Sequence, residues 1–124
     1  MTKSPTVSRL SIEELLDRFA LIGIKQREAL NDSQIRTFNK LFREMAAIGK
    51  ELRARGTDAR LALLKLMTHP DIQVRLQAAR FGYGADPKTA RACIEEIANS
   101  NRFPQAGDAG MTITFLDDGI SQLD

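Results

Sequence analysis

Tryptophan is absent from this 124-residue chain, and histidine, cysteine and tyrosine occur once each, as His69, Cys93 and Tyr83. A lone cysteine excludes an intramolecular disulfide. Beside a lone histidine, it gives no local basis for a zinc site or a Cys-His nucleophile. No apolar run approaches the roughly 20 residues that a membrane-spanning helix needs. The opening MTKSPTVSRLS lacks the apolar core of a secretory signal, so the expected location is the cytoplasm. The glycines are scattered and form no phosphate-cradling loop. These absences point away from an enzyme, and no catalytic residue, metal ligand or cofactor is assigned.

What is present is the composition of a folded domain. Hydrophobic content of 43% and charged content of 27% are ordinary for a globular protein, and six phenylalanines set the character of an aliphatic and phenylalanine core. A chain of this length fits one domain that buries about two-thirds of its unfolded surface. Residues 1–10 are polar, contain Pro5 and carry no sustained period, so they are expected to form a frayed leader. Residues 11–124 are then a single domain. The net charge of +2 is unevenly spread: residues 25–60 hold nine bases against five acids, whereas residues 103–124 hold four acids and no base. That asymmetry can steer a partner, or the tail can lie over the basic helix and satisfy it internally.

Helical periodicity runs through the chain. Ser11 and Glu14 have capping-box spacing, and Ile12, Leu15, Leu16, Phe19, Ile22 and Gln26 follow on one face, with Gly23 a mild weakness. After Asn31-Asp32-Ser33, a second helix over 33–55 carries the stripe Ile35, Phe38, Leu41, Phe42, Met45, Ile48 and Leu52 and ends at Gly56. Thr57 or Asp58 caps a third helix, in which Leu61 and Leu64 share a face with Ala62 or Met67. His69-Pro70 stops that helix. Ile72, Leu76, Ala79 and Tyr83 then mark another, with Gly82 and Gly84 offering left-handed positions at its end. Asp86-Pro87 opens a fifth helix, with Ala90, Cys93 or Ile94, Ile97 and Ala98 inward and Asn99-Ser100-Asn101 closing it. In the tail, Thr112 to Phe115 favours a strand locally, but a lone strand has no pairing partner, so a final helix is predicted over 104–118. Asp117 and Asp118 fall near its C-terminus, where negative charge is unfavourable, so the tail is expected to dock beside the basic second helix.

The stretch 61–84 resembles a HEAT repeat, whose second helix typically opens with a proline–aspartate corner followed by a valine–arginine pair and two alanines. Here these are Pro70, Asp71, Val74, Arg75, Ala78 and Ala79. A second resemblance runs close to full length. It is carried by Asn39-Lys40-Leu41-Phe42-Arg43, by Glu51 to Gly56, by His69-Pro70 with Val74-Arg75-Leu76 and Ala78-Ala79, and by Ala106 to Thr112. On these residues the chain is similar to a family of uncharacterised small bacterial proteins with an ARM/HEAT-like fold. The resemblances imply an all-α, ARM/HEAT-like right-handed stack of about six helices, a construction used for binding more often than for catalysis.

Two residue sets stand out. Arg36, Lys40, Arg43 and Lys50 share the polar face of the second helix over about 21 Å, at 1.5 Å per residue. Such a stripe can follow a phosphate backbone; alternatively Lys40 pairs with Glu44 and the rest is a solvated face without aromatic residues to stack on bases. The other set is the corner His69, Pro70, Asp71 and Arg75. His69 suits a last helical turn, where imidazole meets free carbonyls, with a pH switch as the alternative role. Asp71 and Arg75 are spaced as an i, i+4 pair, which by the HEAT resemblance also ties neighbouring helices. Cys93 reads as a small buried hydrophobe. The expected function is a non-enzymatic protein-interaction module, with an adaptor or immunity role fitting a small protein of this kind and another protein as its partner. The alternative is binding of nucleic acid or another polyanion through the basic face of helix 33–55.

Overall fold

In the computed structural model, which describes residues 4–119 and Leu123, the chain forms seven α-helices, and no strand occurs among the described residues. They are α1 Ser4–Arg9, α2 Ile12–Asn31, α3 Ile35–Ala54, α4 Thr57–Leu64, α5 Ile72–Phe81, α6 Pro87–Ala98 and α7 Gln105–Asp117, with short 3-10 turns at Lys65–Thr68 and Tyr83–Ala85. The count exceeds the predicted six because part of the expected leader is helical. Val7 and Leu10 pack against the core, and the Arg55 guanidinium donates to the carbonyls of Val7 and Ser8 at 3.4 and 3.2 Å. Weak periodicity in so short a segment hid this, because its order comes from α3 rather than from its own pattern. The remainder of the leader, residues 1–3, and of the acidic tail, residues 120–122 and 124, lies outside the described residues.

The helix boundaries follow the local chemistry. Both halves of the Ser11–Glu14 capping box form: the Glu14 N–H donates to Ser11 Oγ at 3.0 Å and the Ser11 N–H to Glu14 Oε1 at 2.9 Å. That second bond, above all, holds the Glu14 carboxyl below its ordinary pKa. Asp71 and Asp86 cap α5 and α6, accepting from Gln73 and Val74 and from Thr89. By contrast, neither Thr57 nor Asp58 caps α4. Its N-cap is Gly56 at φ 108°, a left-handed backbone that turns the chain straight from α3 into Thr57. Gly82 ends α5 at φ −96° and Gly84 has no positive φ, so the expected left-handed ends are not used. The 3-10 turn beginning at Tyr83 carries the chain on instead.

Two clusters of buried side chains lie on either side of α5. One joins Leu15, Phe19 and Ile22 of α2 to Leu41, Met45, Ile48 and Leu52 of α3, with Leu63 and Ala78. The other joins Ile72, Leu76 and Ala79 to Ala90, Ile94 and Ile97 of α6, with Leu64 and Ala109. The neighbouring Leu63 and Leu64 thus serve opposite clusters, while Leu61, predicted to face inward, is 41% exposed. A helix wedged between two cores has no single apolar stripe, which is why spacing misplaced it. On α3 the stripe is narrower than predicted: Ile35 and Phe42 are 60% and 41% exposed. Phe42 rests on Phe81 at 5.9 Å between ring centroids, and Phe81 meets the fully buried Phe19 edge-on at 5.8 Å.

Seven of the ten residues of α5 are buried, Gln73 and Gln77 among them. These two join Gln26 of α2 and Gln105 of α7 in a buried amide chain. Gln105 Nε2 donates to Gln73 Oε1 at 3.0 Å, and Gln73 Nε2 and Gln77 Nε2 both donate to Gln26 Oε1 at 3.0 and 3.3 Å. Gln26 Nε2 and Gln77 Oε1 have no protein partner. The same crossing depends on Gly23, since a Cβ there would lie 2.7 Å from Val74 Cγ2 and 3.2 Å from its Cα. What reads locally as a weakness in α2 is the site where α5 comes closest.

Two mutational series test this packing by chemical denaturation. Phe19→Ala should cost about 3–5 kcal/mol, whereas Phe42→Ala should cost only about 1 kcal/mol, the scale of one aromatic pair. Gln26→Leu removes the acceptor shared by two buried amides and should cost about 1–3 kcal/mol for each donor left stranded.

Candidate functional site

The polar face of α3 meets α2 and α1 at a cleft of about 540 Å³ lined by Val7, Arg18, Ile22, Lys40, Arg43, Glu44, Ala47 and Ile48. It follows from two amphipathic helices lying side by side. The edges of their core faces, Ile22 and Ile48, give the floor, and the next residues around each helix, Arg18 on α2 and Lys40 and Arg43 on α3, give a cationic rim. Arg18, Lys40 and Arg43 make no ion pair among the described residues, and Lys40 and Glu44 are not within ion-pair distance. With three cations against the single carboxylate of Glu44, the cleft offers an excess of positive charge above apolar surface, a combination suited to anions that carry a hydrophobic group.

The structure divides the predicted basic stripe. All four cations are exposed, yet only Lys40 and Arg43 line the cleft, while Arg36 and Lys50 lie beyond it. Arg18 and Val7 were missed. Arg18 reads as one more solvated charge on α2, a turn beyond Glu14, whose carboxyl it helps to hold down, and only the approach of α3 sets it beside other cations; Val7 belongs to the segment read as a leader.

The corner residues are occupied structurally, with partners other than those predicted. Asp71 pairs with Arg27 of α2, whose Nε donates to Oδ2 at 2.7 Å, and not with Arg75. This contact raises the Arg27 pKa, chiefly through the hydrogen bond. Arg75 Nη1 instead donates to the carbonyls of His69 and Pro70 at 2.9 and 3.1 Å, closing the corner on itself. His69 does not cap carbonyls: its Nδ1 accepts the Asp71 N–H at 3.0 Å, so that nitrogen carries no proton. The reason is the turn at Pro70, which swings the imidazole past the end of its own helix toward the start of α5. His69, Pro70 and Arg75, but not Asp71, border a second hollow of about 420 Å³ with Glu96, Ser100 and Arg102. Cys93 is half-buried beside the Arg75 carbonyl, and burial pushes its thiol pKa up, away from reactivity. No group of three His, Cys, Asp or Glu residues converges on a metal position among the described residues.

The acidic tail docks elsewhere than expected. α7 packs on α6 and α5, and its carboxylates find cations there: Asp117 Oδ1 lies 2.8 Å from Arg91 Nη1, and Asp108 Oδ2 3.1 Å from Arg80 Nη1. The unfavourable charge at the end of α7 is thus offset by α6, and these acids do not screen the α3 stripe. Ile113 and Leu116 are half-buried, with Ala106, Ala109 and Thr112 forming the buried face.

Over residues 13–117 the sequence matches the family described as Domain of unknown function (DUF2019). The chain belongs to that family. The protein RPA1889 from Rhodopseudomonas palustris CGA009, known from a crystal structure, is 44% identical and superposes with a TM-score of 0.90 across 95% of this chain and 98% of that one. No curated protein matches. The DUF2019 match takes in α3, most of α2 and all of α4 to α7, hence every cleft residue except Val7. It agrees with the sequence resemblance to a family without an assigned activity. No helix of this DUF2019 domain is long and apolar enough to cross a membrane among the described residues.

The Asp117–Arg91 pair gives a pH dependence with a definite sign. The hydrogen bond from Arg91 holds the Asp117 carboxyl below the ordinary aspartate value, so the unfolded chain takes up this proton first as the pH falls. The pair's stabilisation is therefore complete above the unfolded pKa and lost as the pH drops through the lower folded value. Asp117→Asn should melt below wild type at neutral pH, and the gap should close in acid when melting is followed by circular dichroism.

Proposed function

We propose that this protein is a non-enzymatic interaction module of ARM/HEAT-like construction, with α2/α3, α4/α5 and α6/α7 as its stacked helix pairs. Its cleft between α1, α2 and α3 takes an acidic segment of a partner protein. The observation that carries this reading is the set Arg18, Lys40 and Arg43, three cations from two helices that outnumber the cleft's one acid, Glu44, and form no ion pair among the described residues, above the apolar floor of Ile22, Ala47 and Ile48. A carboxylate-bearing peptide with an apolar side chain matches both features. The order Pro70, Asp71, Val74, Arg75, Ala78 and Ala79 supports the ARM/HEAT-like part of the reading, and helix stacks of that kind serve as binding surfaces.

A second reading is polyanion or nucleic-acid binding along α3. It is favoured by the exposure of all four of Arg36, Lys40, Arg43 and Lys50 on one face. The two readings separate by which cations matter. The peptide reading needs Arg18 and is indifferent to Arg36 and Lys50; a phosphate backbone would use the whole length of α3.

Fluorescence anisotropy distinguishes them with two probes, an Asp/Glu-rich peptide containing leucine and a single-stranded oligonucleotide of matched charge. Arg18→Glu and Arg43→Glu should each weaken the peptide by about tenfold or more, equivalent to 1.4 kcal/mol, and replacing the peptide's leucine with serine should weaken it further. Tighter binding of the oligonucleotide, with Arg36→Glu and Lys50→Glu as damaging as Arg43→Glu, would establish the second reading. Indifference of both probes to every reversal would refute both.

A further inference from the structure

Nitrogen donors from three elements border the second hollow: His69 from the corner, Arg75 from α5 and Arg102 from the connection between α6 and α7. Arg75 is half-buried, and its Nη1 is committed to the carbonyls of His69 and Pro70. Those two bonds hold the guanidinium in place without cancelling its charge, because a carbonyl is a dipole and not an anion. Its Nε and Nη2 meet no acceptor among the described residues. His69 is held just as firmly. Since its Nδ1 accepts the Asp71 N–H, the neutral ring carries its proton on Nε2, which also meets no acceptor among the described residues.

The connection that carries Arg102 is pinned to the end of α6. Its backbone N–H donates to Ser100 Oγ at 3.2 Å, and that hydroxyl donates to the Ile97 carbonyl at 2.6 Å. The Thr68 hydroxyl likewise donates within its own turn, to the Lys65 carbonyl, so the free donors of the wall are nitrogens. The Arg102 side chain is exposed and makes no ion pair among the described residues. Glu96 is the one acid on the wall, and it makes none either. Two guanidiniums and an imidazole N–H thus border one hollow against a single carboxylate.

We propose that this hollow binds a phosphoryl oxyanion, the group shared by inorganic phosphate and small phosphate monoesters. Donors that come from three separate elements call for an acceptor with oxygens on several sides. A tetrahedral phosphoryl group has them, whereas a carboxylate presents two oxygens in one plane, matched to a single guanidinium fork. Arg75 and His69 are already ordered by the corner, so binding costs little of their side-chain freedom. The volume of about 420 Å³ falls in the range of small-molecule sites and leaves room for the organic part of a monoester. The hollow shares no lining residue with the cleft between α1, α2 and α3, and the two proposals stand or fall independently.

The test is a titration of the ¹⁵N-labelled full chain with inorganic phosphate, glycerol phosphate and acetate at constant ionic strength. Both phosphates should shift the His69 imidazole and the Arg75 and Arg102 Nε–H resonances along one saturable curve, with acetate at least about tenfold weaker. Tighter binding of glycerol phosphate would mark the ligand as a monoester, and equal or weaker binding would mark it as phosphate itself. Arg75→Ala also opens the corner, so the exposed Arg102 gives the cleaner variant: Arg102→Ala should weaken phosphate by about tenfold with the melting temperature retained. His69→Asn keeps an acceptor for the Asp71 N–H but removes the Nε2 donor, and should weaken phosphate by about threefold. Glu96→Gln removes the opposing charge and should strengthen it, while Arg43→Glu should leave it unchanged. Phosphate affinity that follows Arg43 instead of Arg102 and Glu96 would place the anion in the cleft and overturn the proposal. So would acetate binding as tightly as phosphate, or His69 and Arg102 resonances that ignore phosphate.

Discussion

The structure depends on the enclosure of α5. A ten-residue helix is too short to be stable by propensity alone, and this one is held because it has almost no free face. α2 approaches at Gly23, where there is no Cβ to keep Val74 away. α4 and α6 cover the other sides, and the Ala78 and Ala79 pair lets both cores close on it. Enclosure has a polar consequence, since Gln73 and Gln77 go in with the apolar residues and must find partners there. Gln26 and Gln105 supply them, so hydrogen bonds rather than apolar contact alone fix α2, α5 and α7 relative to one another. The Arg27–Asp71 contact adds a charged tie between α2 and the start of α5.

Once α5 is fixed, the distribution of charge follows. α7 is set against α6 and α5, which supplies Arg91 and Arg80 to its acids. Those acids are then committed far along the chain from α3, and the cleft rim retains its positive charge. A polypeptide with a net charge of only +2 thereby gathers Arg18, Lys40 and Arg43 around a single cleft carboxylate, Glu44.

The periodic helices were legible in the sequence because their causes are local. Ser11 with Glu14, Asp86 with Pro87, and Gly56 at the end of α3 signal boundaries through hydrogen bonds and backbone freedom confined to a few residues. Even the tail resolved correctly as helix, because the absence of any partner strand outweighed its β-branched residues. The basic face of α3 was visible for the same reason, as a period of charge on one helix.

Partnership was not visible, because it joins residues far apart in sequence. By spacing Asp71 looks paired with Arg75, and the actual partner, Arg27, comes from the helix that arrives beside it. Likewise Gly23 is a defect until Val74 is placed against it, Arg18 is a solvated charge until α3 brings Lys40 and Arg43, and Asp117 lacks a cation until α6 presents Arg91. The sequence by itself determined an all-helical chain, most of its helix ends and the polarity of its faces, since propensity, capping and periodicity act over one or two turns. Only the tertiary structure decided which faces meet, because that depends on shape and charge brought together from elements dozens of residues apart.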